Sequence, residues 1–388
     1  MPAIFNSFTT QIFENQIKDY FKAVGVFTFW KGRVALYTAL KALNIGRGDA
    51  VMIAGYTCVV VPAAVKALQA KSIFVDIDAR TYNINPELLD KSWQPNVKAL
   101  IVQHTYGIPA EMKPIQAWAR QKNIPIIEDC CHSFGSFYEG QLLGTFGEAA
   151  FFSTQWSKPF TTGLGGILVV HSEELAQSVT ELLAQIEAPS TLQAALLFGQ
   201  YLVYKSLVYP RTYALAMLLY HKLSENGLLI GSSENSELQG EQPEDYFKKM
   251  SNMQAWIGKH EFRKLKKVNQ HRSQLADFYC RELPEYGFKP VPLRKGEEVG
   301  FLRYPVQVKN KTELLKLAAQ KGVEIGSWFE CPLHPIESDL SAFGYHAGDC
   351  PVAEKAASEV INLPTHNRVS LRQAERILKF LSRYAAAA

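Results

Sequence analysis

The sequence predicts an α/β fold, with a mostly parallel sheet in a large domain and a smaller α+β unit towards the C-terminal end. Three observations carry this expectation. Between about Gly32 and Val170, amphipathic helical stretches alternate with short apolar runs rich in β-branched residues, which is the pattern of βαβ units. The clusters of chemically distinctive residues fall just after these runs, where open α/β sheets bind ligands. A chain of 388 residues, 47% hydrophobic and 20% charged, can also bury two ordinary globular cores.

In order along the chain, 33–43 reads as a helix closed by a turn over 44–49, and 50–54 as a strand. Residues 61–68 are helical and 72–76 extended. Short buried strands follow at 100–104 and 125–129, separated by a helix over 114–122. Two more are expected at 149–153 and 166–170, and a helix opens at Glu173. The polar stretch 232–245 reads as a mobile connection, and 251–283 as one long charged helix bridging to the second unit. Strand 301–308 and helices 312–321 and 371–383 complete that unit. The expected division is 1–250 for the large domain and 251–388 for the bridging helix and small domain.

The stretch 191–223 is dominated by Leu, Tyr, Ala and Phe, but Lys205, Pro210 and Arg211 interrupt it. It falls short of a transmembrane span of about 20 apolar residues. Two readings stay open: a helical hairpin packed on the body or in a dimer interface, or a peripheral docking surface for a membrane or partner.

Bulk properties exclude other classes. The net charge is only +4 and the basic residues are dispersed, so no nucleic-acid partner is expected. The six cysteines show neither a CxxC pair nor zinc spacing, so they read as free thiols and no metal site is expected. The N-terminal stretch lacks signal-peptide character, which points to a cytoplasmic setting.

Two motifs carry the chemistry, EDCCHSFG at 128–135 and FFSTQWSKPF at 151–160. An acid after one strand and a lysine after the next can grip one ring from different sides. Pyridoxal 5'-phosphate (PLP) requires this pairing: a carboxylate keeps the pyridine nitrogen protonated, and a lysine holds the aldehyde and moves protons. Asp129 and Lys158 are the candidates. Lysine suits the task because its ammonium loses charge readily when desolvated. The phosphate needs backbone N–H groups at a helix start with a hydroxyl or cation. Gly32 and Arg33 open a helix and Ser153 precedes Lys158; Arg33 either reaches the phosphate or points to solvent. GLGG at 163–166 allows a tight turn back into the sheet.

These segments, with GRVALYTALKALNIGRGDAVMIAGYTC, IFVDIDARTYNINPELL, HTYGIPAEM, MSNMQAWIG and PVAEKAASEVINLPTH, resemble the DegT/DnrJ/EryC1/StrS sugar aminotransferases from Gly32 to about Leu381. The resemblance implies a fold like that of aspartate aminotransferase, with PLP on Lys158, Asp129 at the pyridine nitrogen and Ser153 at the phosphate. His132 stands where the family usually has glutamine near the phenolic oxygen, and can hydrogen-bond there or stack on the ring. The implied reaction moves an amino group from glutamate to a nucleotide-linked keto sugar in a homodimer. Tyr106, Trp328 and His334 are expected either to line the substrate pocket or to pack the core. Departures from the family pattern are Lys31 to Arg33 in place of Ser-Gly-Thr, Cys58 for an aromatic residue, Phe247 for asparagine and Leu164 for an acid. Lys158 separates the chain from related sugar dehydratases, which carry histidine there. Other PLP chemistry on the same fold and a non-catalytic binding role are the alternatives.

Overall fold

The computed structural model describes residues 8–207, 230–231, 247–294, 296–335 and 338–387. Helix α1 (Phe8–Phe21) and strand β1 (Gly25–Phe29) come first, followed by α2 (Gly32–Ala42), β2 (Ala50–Ala54), the short β3 (Thr57–Cys58), α3 (Val60–Ala67) and β4 (Lys71–Val75). The short α4 (Leu89–Ser92), β5 (Val97–Gln103), α5 (Met112–Lys122) and β6 (Ile126–Asp129) continue the alternation. A hairpin of β7 (Phe137–Tyr138) and β8 (Gln141–Leu142) precedes β9 (Ala149–Ser153), β10 (Gly166–Val170), α6 (Glu173–Ala184) and α7 (Thr191–Leu207). The later elements are α8 (Asn252–Phe262), α9 (Leu265–Glu282), β11 (Arg303–Gln307), α10 (Lys311–Gln320), β12 (Leu333–His334), α11 (Pro351–Glu359), β13 (Val360–Pro364) and α12 (Leu371–Tyr384).

Seven strands form one sheet in the order β1-β10-β9-β6-β5-β2-β4. The run from β9 to β4 is parallel, and β10 lies antiparallel to both β9 and β1. Strands β2 and β10 are buried along their whole length, as expected of central strands in a sheet covered on both faces. A second, two-stranded sheet pairs β11 with β13. One apolar core runs from Phe13 on α1 to Leu381 on α12, and a second lies around α2 and the other side of the sheet.

Two expectations need correction. The helix expected over 251–283 is two helices: at the end of α8 the Lys264 N–H bonds the Glu261 carbonyl at 3.0 Å, a tightened turn that breaks the ladder. The Glu261 carboxylate is meanwhile held by Lys205 of α7 and by Lys264, at 2.7 and 2.8 Å. The sheet also begins earlier than expected, because GVFTF at β1 pairs along β10 and forms its edge. Of the apolar stretch 191–223, residues 191–207 form α7, and 208–223 lie outside the described residues, as does the connection expected over 232–245. Helix α7 buries Ala194, Leu197 and Tyr201 and exposes Leu192, Leu196, Leu202 and Val203. No helix among the described residues is long and apolar enough to cross a membrane.

Candidate active site

The register of the sheet builds the first half of the site. Ser153, at the C-terminal end of β9, lies opposite Gly166 of β10, which in turn lies opposite Phe29 of β1. The chain leaving β1 therefore brings Lys31 and Gly32 onto Ser153. A methyl group at Gly32 would stand 3.0 Å from Ser153 Cβ, and one at Gly166 only 2.4 Å from the Lys31 carbonyl oxygen. Close backbone approach requires glycine at 166, and at 32 any side chain would crowd Ser153. The start of α2 has no side-chain cap, and Arg33 in its first turn is buried. Glycine, a serine hydroxyl, an arginine and the N-terminus of a helix together form a suitable cradle for a phosphate.

Strand β6 supplies the acid. Asp129 is buried at its end, and its Oδ1 accepts the Cys131 N–H at 3.0 Å. Burial raises the Asp129 carboxyl above the ordinary range, while the Cys131 hydrogen bonds and the charge on Lys158 pull it back. The loop after β9 supplies the amine. Its base is closed by the Thr154 and Thr162 hydroxyls, 2.6 Å apart, and by the Thr162 N–H on the Thr154 carbonyl at 2.9 Å. Gln254, in a capping box with Ser251, fastens the glycine turn through the Leu164 carbonyl at 2.7 Å. Half-buried Lys158 is carried within this closed loop. Burial lowers its ammonium below the usual lysine range; Cys131, Asp129 and Cys58 oppose that shift, and Arg303 adds to it.

His132 lies on the same side. Its ring centroid is 4.8 Å from that of Trp328, and its Nδ1 accepts the Tyr106 N–H at 3.2 Å. Burial, followed by the charges of Lys158 and Arg303, holds the imidazole well below its normal range. The ring is therefore neutral with its proton on Nε2, a donor for an acceptor in the cleft. Cys58, in electrostatic reach of both Arg33 and Lys158, has its thiol pushed up by burial. Its strand β3 pairs with β12, in register with His334. Burial and then Arg303 lower the His334 imidazole to about 3.

Of the three residues suspected of lining a pocket, Trp328 and His334 meet at 5.7 Å between ring centroids, and Lys158 Nζ stands 4.8 Å above the Trp328 ring. Tyr106 is fully buried and acts from beneath. Its hydroxyl donates to the Trp328 carbonyl at 2.7 Å and lies 2.8 Å from the Tyr56 hydroxyl, so it fixes the segment that carries Trp328. Leu164 packs with Trp30 and Leu197 of α7, and the Phe247 ring lies tilted against Tyr37 of α2, with centroids 4.5 Å apart. Both departures are thus filled by apolar packing. Arg303 escaped the sequence reading: it lies far along the chain on β11, and no motif marks it.

The profile of the DegT/DnrJ/EryC1/StrS aminotransferase family matches residues 5–193 and 228–382. The protein belongs to this family. It is a family of PLP-dependent enzymes, and the cradle, acid and lysine described above fit that cofactor. The chain is 26% identical to the GDP-perosamine synthase of Caulobacter vibrioides over 95% of its own length and 88% of the relative's. It is also 26% identical to the UDP-N-acetyl-3-dehydro-alpha-D-glucosamine 3-aminotransferase of Acidithiobacillus ferrooxidans, covering 91% of this chain and 82% of that one. The fold matches NtdA of Bacillus subtilis, solved with bound cofactor PMP, with a TM-score of 0.74 at 22% identity over 97% of this chain and 76% of that one.

Proposed function

We propose that the protein transfers an amino group from glutamate to a keto sugar carried on a nucleotide. What supports this reading is that Asp129 and His132 both lie within electrostatic reach of Lys158, while Gly32 and Ser153 meet at the start of a helix. Bound PLP supplies an aldehyde for the amine and a ring that accepts the electron pair left at carbon. Gly32, Arg33 and Ser153 bind the phosphate. Asp129 would keep the ring nitrogen of the bound cofactor protonated, and such a cationic partner would offset the burial that raises its carboxyl. Lys158 Nζ, whose charged form burial already disfavours, takes and returns the proton that moves between carbons. His132 donates from Nε2 to the phenolic oxygen or stacks on the ring.

The names of the relatives support a nucleotide-linked sugar as acceptor, since a GDP sugar and a UDP sugar appear in the two names. Trp328 and His334, whose rings meet, form the acceptor side of the site, with Tyr106 holding the Trp328 segment in place. A homodimer, a cytoplasmic setting and a division into 1–250 and 251–388 go with this reading.

The test follows cofactor absorbance of the purified holoenzyme on adding glutamate. Conversion to the pyridoxamine form with release of 2-oxoglutarate is expected, followed by return of the original spectrum with a nucleotide keto sugar. Lys158→Ala should lower the rate by at least about a thousandfold, because both the covalent hold and the proton carrier are lost. Wild-type protein that ignores glutamate, or a Lys158→Ala protein that turns over normally, overturns the reading.

A further inference from the structure

We propose that Lys311 is a positioning residue for the acceptor side of the site: its ammonium grips the backbone on both sides of Trp328 and so sets where that ring stands. That Trp328 meets the acceptor rests on the transaminase reading; that Lys311 holds it rests on geometry alone.

Lys311 is the first residue of α10, and its side chain is buried. Its Nζ donates to the Ser327 carbonyl at 3.3 Å, to the Phe329 carbonyl at 3.1 Å and to the Ala357 carbonyl of α11 at 2.6 Å. An ammonium carries three N–H donors, so all are engaged. The carbonyl between the first two, that of Trp328, accepts the Tyr106 hydroxyl at 2.7 Å. Successive carbonyls 327 to 329 are thus held by two side chains, one from the loop after β5 and one from α10. The half-buried Trp328 ring has Lys158 Nζ 4.8 Å from its centroid, with the His132 and His334 rings at 4.8 and 5.7 Å. A shift of this short segment therefore moves the ring that faces the lysine and both imidazoles.

The location is unfavourable for a cation. Burial penalises the charge, and so does the first turn of a helix, where the backbone dipole is positive. What the ammonium supplies in return is three donors from one atom. Glu330 and Cys331 favour the charged form, Glu313 shares the first turn of α10, and His334, itself held neutral, lies in electrostatic reach. Burial outweighs these and lowers the ammonium from 10.5 to about 8. Because the folded value lies below the unfolded one, this group's contribution to stability rises with pH between about 8 and 10.5. The neutral amine has only two N–H groups for the three carbonyls and loses the charge assistance. Mild alkali should therefore loosen Trp328 without unfolding the protein.

Acrylamide quenching of the holoenzyme's tryptophan fluorescence reads the ring directly, with the Trp328→Phe signal subtracted to isolate it. Quenching of Trp328 should rise at least about twofold between about pH 7 and 9, as charge-assisted hydrogen bonds are lost. Lys311→Met, which keeps the length of the stem and removes every donor, should show the higher value already at neutral pH. Lys311→Arg, which keeps a cation that does not titrate in this range, should stay low throughout. Lys311→Met should also raise the KM for a nucleotide keto sugar about tenfold while kcat falls less than about threefold, the signature of lost binding. If Lys311→Met does not fold, the wild-type pH series and Lys311→Arg decide. Trp328 quenching that ignores pH, a Lys311→Arg protein that responds to pH as wild type does, or a folded Lys311→Met enzyme with unchanged acceptor KM overturns the inference. A Trp328 ring loosened by alkali and by Lys311→Met, in a protein that does not convert its cofactor with glutamate, overturns the transaminase reading and leaves Lys311 as the residue that places the ring.

Discussion

Glu128 and Asp129 are neighbours on β6, both buried, and their surroundings differ sharply. Successive side chains of a strand point to opposite faces, so one residue's step separates two environments. Glu128 faces a completed network. Its oxygens accept from Gly144, Phe146 and Gly147 N–H groups at 2.8, 2.6 and 2.9 Å, and from His104 Nε2 at 3.1 Å. His104 Nδ1 in turn accepts the Ala110 N–H at 3.1 Å. Cys130 lies beside this pair, with donor atoms of the three residues all within 4.8 Å of one another. The imidazole and carboxylate already satisfy each other and the backbone, so the cluster ties strand to loop. Asp129, by contrast, accepts hydrogen bonds from Cys131 alone among the described residues and lies within electrostatic reach of Lys158. A buried acid whose lone pairs are all used supports the fold. One that keeps capacity towards a cleft beside a lysine is free to serve a ligand.

Substitutions at the two positions should therefore separate stability from activity. Glu128→Ala would orphan three N–H groups and an imidazole, and should cost about 3–5 kcal/mol in denaturant unfolding, with the remaining folded enzyme still active. An unchanged urea midpoint would remove the structural assignment. Asp129→Asn should do the reverse. The amide keeps an oxygen for the Cys131 N–H, so stability should stay within about 1 kcal/mol, while turnover falls about a hundred- to a thousandfold because the amide cannot stabilise a charged ring nitrogen. Equal rates for Asn and Asp would break the contrast.

The smallest effect is expected away from both residues. Glu14 on α1 accepts the Thr28 N–H at 3.0 Å and the Thr28 hydroxyl at 2.7 Å, and burial raises its carboxyl from 4.5 to about 7. The folded protein thus keeps a proton that the unfolded chain releases above about pH 4.5. The stability this provides is fully present below that pH and is lost as the pH rises through about 7. Glu14→Gln, which keeps an acceptor without the titration, should flatten the fall of melting temperature between about pH 5 and 8. A slope unchanged by the substitution would show that Glu14 ionises normally.

Much of the fold could be read directly from the chain. The strands at 50–54, 149–153 and 166–170 occur at the expected bounds, because each is a short apolar run between turn residues. The single helix expected over 251–283 failed because charge periodicity does not reveal a tightened turn after Glu261, whose carboxylate is held by Lys205 of α7 and by Lys264. In the site, Lys158, Asp129, Ser153 and Gly32 were legible because each follows a strand at the ligand-binding edge of the sheet. For Tyr106 the sequence left pocket lining and core packing open, a distinction that depends on where its hydroxyl finds a partner, here the Trp328 carbonyl. Arg303 carried no local signal at all.

The sequence alone determined the α/β class, the acid and lysine pair and the glycine-lined cradle, since these depend on periodicity and on residues close to the ends of consecutive strands. Only the tertiary structure decided which buried acid is saturated and which faces the cleft, and which aromatic residues support and which are presented. It also brought Arg303 and Lys158, distant along the chain, each to 4.8 Å from the centre of the Trp328 ring. Hydrogen-bond saturation and stacking are properties of neighbours in space, and linear spacing does not encode them beyond a turn or a strand.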